Sequence, residues 1–225
     1  MPDEPGVDMN WRKRLNSYRV TRSPSGNGKM VRVSAILLGA GQSKRMGTDK
    51  LSLPWSKKTV FVHCLETLLR SKVKEVIVVL NARTRRIVDS IEKENLKVVI
   101  NPYYKRGMST SIRKGLQALD PGSEGILIAL GDQPSLKTRT IDALISAFGR
   151  KRNGIIVPVC EGKRGNPILF HRRHESALLR LRGDVGGRSI LERHPGEIRA
   201  VNVKSRGVLK DIDSWKDYED QKVSK

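Results

Sequence analysis

Apolar residues fall into short uninterrupted runs, separated by stretches in which they recur every three or four positions. The runs are Ala35 to Leu38 (AILL), Glu75 to Leu80 (EVIVVL), Lys97 to Ile100 (KVVI), Gly125 to Leu130 (GILIAL) and Ile155 to Val159 (IIVPV). Gly165 to Phe170 and Ile198 to Val203 follow with the same character. Such runs, bounded by turn formers, are what strands buried on both faces require. Between them, Val60 to Arg70 places Leu65, Leu68 and Leu69 on one side of a helix, and Leu51, Leu53, Pro54 and Trp55 make an apolar hinge before it. Arg83 to Asn95 reads as a charged helix, Gly107 opens one through Leu119, Thr138 to Phe148 reads as another, and a short acidic one carries Trp215 and Tyr218. Strands alternating with helices predict right-handed βαβ units on a mostly parallel sheet, with functional groups at the strands' carboxyl ends.

The alternation spans residues 32–220, the size of one α/β domain. Residues 1–31, with Pro2, Pro5 and Pro24 and little periodicity, read as a disordered basic extension. It lacks the apolar core of a secretory signal, its acidic start argues against a transit peptide, and Met30 is an alternative start. Residues 221–225 read as a frayed tail. No apolar run approaches the length of a membrane span. Cys64 and Cys160 are too few and too scattered for a disulfide framework or a zinc site, which fits a reducing cytoplasm.

The net charge of +21 would by itself suggest nucleic acid. Lys and Arg are spread along the whole chain, aromatics are 4% of it, and no nucleic-acid-binding motif accompanies them. A basic surface also steers small polyanions.

Chemistry is concentrated after the first run. In Ser34 to Lys50 (SAILLGAGQSKRMGTDK), Gly39, Gly41 and Gly47 let backbone N–H groups approach a large anion, and Arg45 and Lys50 bring positive charge. A P-loop would need Gly-Lys-Ser/Thr where Met46 stands, and a dinucleotide fingerprint would need a third glycine where Lys44 stands. Asp132, ending GILIAL in Gly-Asp-Gln-Pro, can cap the next turn or coordinate Mg²⁺. Asp211 and Asp213 flank Ile212 and share one side of an extended segment, while Ser214 reads as a helix cap. Ser109 and Ser111 stand beside a helix start, where small hydroxyls can be caps or ligand contacts, and the segment Gly183 to Arg188 reads on local chemistry as a loop joining two helices. His171 and His174 lie in an arginine-rich stretch that reads as a surface helix, and no Ser-His-Asp arrangement can be drawn.

Leu38, Ala40, Gly41, Ser43, Arg45, Met46, Gly47 and Lys50 match L-x-A-G-x-S-x-R-M-G-x-x-K, and here the chain resembles the MobA-like nucleotidyltransferases. The resemblance implies a three-layer α/β/α Rossmann-like nucleotidyltransferase fold of the nucleotide-diphospho-sugar transferase type. It implies that the loop wraps the triphosphate of an NTP, with Leu38, Gly39, Ala40, Gly41, Ser43, Arg45 and Lys50 as nucleotide-binding positions. Gly39 departs from the family's usual Ala, a change toward flexibility. N-P-x-x-x-x-G-M-S-x-S, from Asn101, is similar to the segment lining the base, which implicates Ser109 and Ser111. G-D-Q-P and D-I-D-S resemble the two motifs whose Asp132 and Asp213 would hold Mg²⁺. G-N-P implicates Asn166, and G-D-x-G implicates Asp184, at the acceptor site. Arg45, Lys50, Asp132 and Asp213 are the implied catalytic set. Ala40 and Ser43, with G-M-S-x-S, match the cytidylyl branch, so the implied reaction transfers CMP from CTP to the phosphate of molybdopterin and releases pyrophosphate. The implied alternatives are a guanylyltransferase or a sugar-phosphate nucleotidyltransferase. A molybdoenzyme receiving the product is the implied protein partner, and a basic nucleic-acid-binding protein is the non-enzymatic alternative.

Overall fold

The computed structural model describes residues 31–41, 46–89, 91, 93–150 and 154–223, so residues 1–30 of the expected extension and the site candidates Ser43 and Arg45 lie outside the described residues. Its strands are β1 (Val33–Gly39), β2 (Pro54–Trp55), β3 (Lys58–Thr59), β4 (Glu75–Leu80), β5 (Leu96–Ile100), β6 (Gly125–Leu130), β7 (Ile155–Cys160), β8 (Lys163–Arg164), β9 (Ile168–His171) and β10 (Ile198–Asn202). Its helices are α1 (Val60–Leu69), α2 (Met108–Leu116), α3 (Thr138–Arg150), α4 (Glu175–Leu179), α5 (Arg188–Arg193) and α6 (Trp215–Val223).

The eight-stranded sheet has the order β10-β7-β9-β6-β1-β4-β5, with β8 beside β7. β1 pairs in parallel with both β4 and β6. β9 runs antiparallel to β6 and β7, and β8 antiparallel to β7. From β1 the chain steps outward through β4 to β5, then returns to place β6 on β1's other flank. That reversal leaves a crevice at the carboxyl ends of β1 and β6.

Two-residue alternation explains the layers. Ala35, Leu37, Val76, Val78 and Leu80 point to α1 and α3, where Phe61, Leu65, Leu68, Leu144 and Phe148 meet them. Ile36, Ile77, Val79, Ile126 and Ile128 point the other way, to Ile112 and Leu116 of α2, Leu178 of α4 and Ile190 of α5. This is the expected α/β/α sandwich with a mostly parallel sheet. No helix among the described residues is long and apolar enough to cross a membrane.

Several local expectations are corrected. The charged helix over 83–95 is, among its described residues, a 3₁₀ turn, Arg85–Val88. Asn81 Oδ1 accepts from the N–H groups of Arg83 (2.8 Å) and Thr84 (3.1 Å), and this tight turn starts the segment outside α geometry. Only Val88 of the 3₁₀ turn is buried, so no apolar stripe recruits an α-helix. α2 stops at Leu116 rather than Leu119. His171 ends β9, and His174 sits in the 3₁₀ turn Arg172–His174, 4% exposed, so neither belongs to a surface helix. The tail is not frayed at Gln221, which is buried, accepts from Ser135 Oγ (2.9 Å) and donates to the Asp211 carbonyl (3.1 Å).

Gly39 is a packing glycine rather than a flexible one. A Cβ there would lie 2.4 Å from Phe61 Cε2 and 2.8 Å from Leu80 Cδ2. Gly39→Ala therefore overpacks the first turn of α1, and we expect a loss of about 1–3 kcal/mol in denaturant unfolding.

Candidate active site

The loop after β1 is held at its root by two residues of the adjoining β4 turn. Thr84 Oγ1 donates to the Gly39 carbonyl (3.2 Å) and Asn81 Nδ2 to the Ala40 carbonyl (3.1 Å). Both side chains are buried. Sequence reasoning passed over them, although Asn-x-x-Thr directly after a buried strand was a usable turn signal. The chain re-enters through Gly47, at a φ of 67° in the left-handed region. Asp49 then caps the 3₁₀ turn Lys50–Ser52, accepting from the Leu51 N–H (3.2 Å), and buried Leu51 anchors that turn so that Lys50 faces the crevice.

Lys50 meets two carboxylates from distant parts of the chain. Its Nζ lies 2.6 Å from Asp132 Oδ2 and 3.0 Å from Asp213 Oδ1, and donates to the Ile212 carbonyl (2.7 Å). Asp132 arrives just past β6, and its carbonyl accepts from the Ile212 N–H (3.0 Å), which stitches the two acidic segments together. A small apolar cluster aims the second segment. Ile212, fully buried, packs with Met46, Trp55, Val60 and Tyr218, and Tyr218 Oη donates to the Pro54 carbonyl (2.5 Å). With Ile212 turned inward, Asp211 and Asp213 turn to the crevice, which both line. Ser214 and Asp217 close a reciprocal cap at the head of α6: Asp217 N donates to Ser214 Oγ (3.2 Å) and Ser214 N to Asp217 Oδ2 (2.8 Å).

Charge is concentrated here. Burial alone would pull the Lys50 ammonium down, but Asp132 and Asp213 outweigh it and hold its pKa above the usual lysine value. Burial, then the charges of Asp132 and Asp213, push the Asp211 carboxyl up. An acid whose folded pKa exceeds its unfolded one favours folding below the unfolded value and loses that contribution as pH rises through the folded one. Ionised Asp211 therefore opposes folding near neutrality. Asp211→Asn should raise the thermal midpoint at pH 7 in chelator, and the gain should shrink as pH falls toward the ordinary carboxylate range.

Asp132 Oδ1 is buried and accepts no hydrogen bond. A dehydrated, unpartnered carboxylate oxygen beside a second carboxylate suits a hard divalent cation bound through oxygen. Asp132 and Asp213 are the residues that fit one.

The crevice encloses about 770 Å³. Leu38, Gly39, Ala40 and Gly41 line it on the β1 side, with Lys50, Asp132 and Asp213 at its floor. The opposite wall is the head of α2. Asn101 Nδ2 donates to Thr110 Oγ1 and Ser111 Oγ, both at 2.9 Å, and Asn101 Oδ1 accepts from the Tyr103 N–H (2.9 Å). This arrangement presents Ser111 to the crevice, whereas Ser109 is fully buried and is not in the lining. Asp184 lines the crevice and caps α2 from outside, its Oδ1 accepting from the Met108 N–H (3.1 Å). Gly107 permits that docking, since a Cβ on it would lie 2.3 Å from the Gly183 carbonyl carbon. Asn166 stands apart: its N–H donates to the Val208 carbonyl (2.9 Å) and it is not in the lining. Tyr104, Lys105 and Arg106, not singled out from sequence, complete the wall.

A family model described as the MobA-like NTP transferase domain matches residues 35–198. The chain belongs to that family. It is therefore a nucleotidyltransferase enzyme. This MobA-like transferase is 28% identical over 199 residues to a nicotine blue oxidoreductase of Paenarthrobacter nicotinovorans, covering 84% of this chain and 96% of that one. It is 26% identical over 193 residues to the molybdenum cofactor cytidylyltransferase of Escherichia coli K12, covering 84% and 95%. A solved structure of Rv0371c from Mycobacterium tuberculosis H37Rv, in complex with manganese, superposes with a TM-score of 0.73 at 25% identity, covering 87% of this chain and all of the other. The matched span starts in β1 and contains the β1 loop, Asp132 and both walls of the crevice, while Asp213 lies beyond it.

Proposed function

We propose that the protein transfers CMP from CTP to the phosphate of a molybdopterin-type cofactor, with Mg²⁺ held by Asp132 and Asp213. The observation that carries this reading is the meeting of Asp132 and Asp213 around Lys50 at the mouth of the β1 loop. Identity to the Escherichia coli cytidylyltransferase over nearly its whole length supports the choice of nucleotide and acceptor.

In the reaction, an oxygen of the acceptor phosphate bonds to the α-phosphorus of CTP, and the bond to the bridging oxygen of the β-phosphate breaks, releasing pyrophosphate. The acceptor is already ionised at neutral pH, so no general base is needed, and the described crevice lining contains no histidine or cysteine. When bound, Mg²⁺ would draw charge from the α-phosphate. With its two carboxylate partners engaged there, Lys50 turns its ammonium to the growing charge on pyrophosphate, together with Arg45. Backbone N–H groups after β1 cradle the triphosphate. Ser111 faces the base, and Ser109 supports that wall from behind. Asp184 holds the α2 wall in place, and Lys105 and Arg106 attract the acceptor's phosphate. The family's G-N-P segment supports Asn166 on the acceptor side, beyond the described crevice lining, and a molybdoenzyme receives the product.

The test is pyrophosphate release from CTP, GTP and ATP, each with and without molybdopterin, in Mg²⁺. Release from CTP that depends on the pterin supports the reading, and equal use of the three nucleotides overturns the cytidylyl assignment. Identity to a protein named an oxidoreductase favours a second reading. The assay therefore includes NADPH with a reducible dye, and turnover there without pyrophosphate release from CTP would select it.

A further inference from the structure

A second group of ligand atoms lies at the opposite end of the sheet from the crevice. His171 pairs with Gly125 at the start of β6, and Ile198 with Ile155 at the start of β7, whereas Asp132 follows the end of β6. Just beyond those starts, His174, His194 and Glu197 each offer one ligand atom, all within 4.8 Å of one another. His174 Nε2 is 2.9 Å from Glu197 Oε2, and His194 Nδ1 is 3.4 Å from Glu197 Oε1. The imidazole rings stand edge to face with centroids 5.1 Å apart.

His174 is 4% exposed, and its buried Nε2 has the Glu197 carboxylate 2.9 Å away but no well-formed hydrogen bond. A dehydrated imidazole nitrogen aimed into a cluster with a second imidazole and a carboxylate is costly without a further partner. Zinc bonds histidine nitrogen at about 2.0–2.1 Å, which sets tetrahedral ligands about 3.4 Å apart. The observed nitrogen–oxygen separations, 2.9 and 3.4 Å, lie near that value and all three ligand atoms lie within 4.8 Å of one another, so small side-chain rotations would close the set. Arg173 already pairs with Glu197 Oε2 and would stay as an outer partner orienting the carboxylate.

We propose that His174, His194 and Glu197 form a zinc site with a fourth position open to water. The ion ties three elements together: His174 follows β9, His194 is the C-cap of α5, and Glu197 leads into β10. α5 in turn follows the Gly183–Gly187 loop that carries Asp184 to the crevice, so the ion clamps the far end of that connection.

Zinc binding is measured by calorimetry on the full chain carrying Asp132→Asn, which disables the crevice as a competing site. One Zn²⁺ per chain is expected. His194→Ala in the same background should weaken binding at least tenfold, because one of three ligands is gone. His194 is 37% exposed, so this variant should fold. Glu197→Gln keeps the shape of the side chain and should weaken binding similarly. At a hundredfold excess over Kd, zinc should raise the thermal midpoint of the Asp132→Asn chain by roughly 5–10 °C. Stoichiometric zinc that survives both His194→Ala and Glu197→Gln, or no zinc bound by the Asp132→Asn chain, overturns the proposal and leaves a metal-free ion network.

Discussion

Asp132→Asn should lower kcat by on the order of 10²–10³-fold while leaving the thermal midpoint nearly unchanged, with the activity loss scaled from removed transition-state stabilisers in other enzymes. The substitution keeps the shape of the side chain but removes one of the two charges around Lys50. Lys50 still has Asp213 Oδ1 at 3.0 Å and the Ile212 carbonyl at 2.7 Å, so its ammonium is not stranded. The Oδ1 position also stops being a dehydrated anionic oxygen without a hydrogen bond. These effects oppose each other, and a net change within about 1 kcal/mol is expected. Steady-state pyrophosphate release and a thermal melt on the same preparation separate the two quantities. Retention of activity within tenfold, or loss of the folded state, would remove Asp132 from the role assigned to it.

Lys50→Met should behave in the opposite way toward stability. Removing the ammonium leaves Asp132, Asp211 and Asp213 facing one another in the crevice with their central counter-charge gone. Breaking a fully buried ion pair from one side typically costs about 3–5 kcal/mol. Asp213 is 47% exposed here, and solvent screening reduces the expected cost to about 2 kcal/mol. Acidification toward the carboxylate range should recover much of that loss, since the repulsion disappears as the acids protonate. Millimolar Mg²⁺ should recover it too, and should raise the melting temperature of the variant more than that of the parent, in which Lys50 competes for the same oxygens. Equal Mg²⁺ responses in the two proteins would show that the ion binds elsewhere. Turnover should still fall by about 10²-fold, because a cation facing the leaving group is gone.

The central sheet was legible because its inner strands are buried on both faces and read as continuous apolar runs, while edge strand β5 kept an apolar run although Val98 is 43% exposed. EVIVVL and GILIAL needed no tertiary information. The segment after β4 was misread because charge periodicity imitates a helix, whereas the deciding factor was a buried Asn81 bonding back to the next residues. Gly39 matched a phosphate-loop signature, but the ring of Phe61, on a different element, sets the space available to it. His174 looked exposed because its sequence neighbours are arginines, and only the fold brings Phe170 and His194 against its ring.

In the site, residue types were legible and partnerships were not. Lys50 could be recognised as a functional cation, but its pairing with Asp213 spans 163 positions. Asp184 carried a motif, yet its bond to the head of α2 joins residues 76 apart and depends on two glycine backbones passing closely. The alternation of Asp211, Ile212 and Asp213 was the exception. It encoded a direction, and burying the middle residue was enough to aim its neighbours.

The tie between Ile212 and Trp55 carries a consequence for synthesis. Everything needed for the parallel sheet beside β1 is translated before the second acidic segment exists, and domains tend to organise from their amino-terminal side during synthesis. While that segment is still inside the ribosome, the nascent protein can assemble its layers and its first carboxylate yet lacks the second. Competence would then arrive only after the segment emerges and seats Ile212 against Trp55, just ahead of α6.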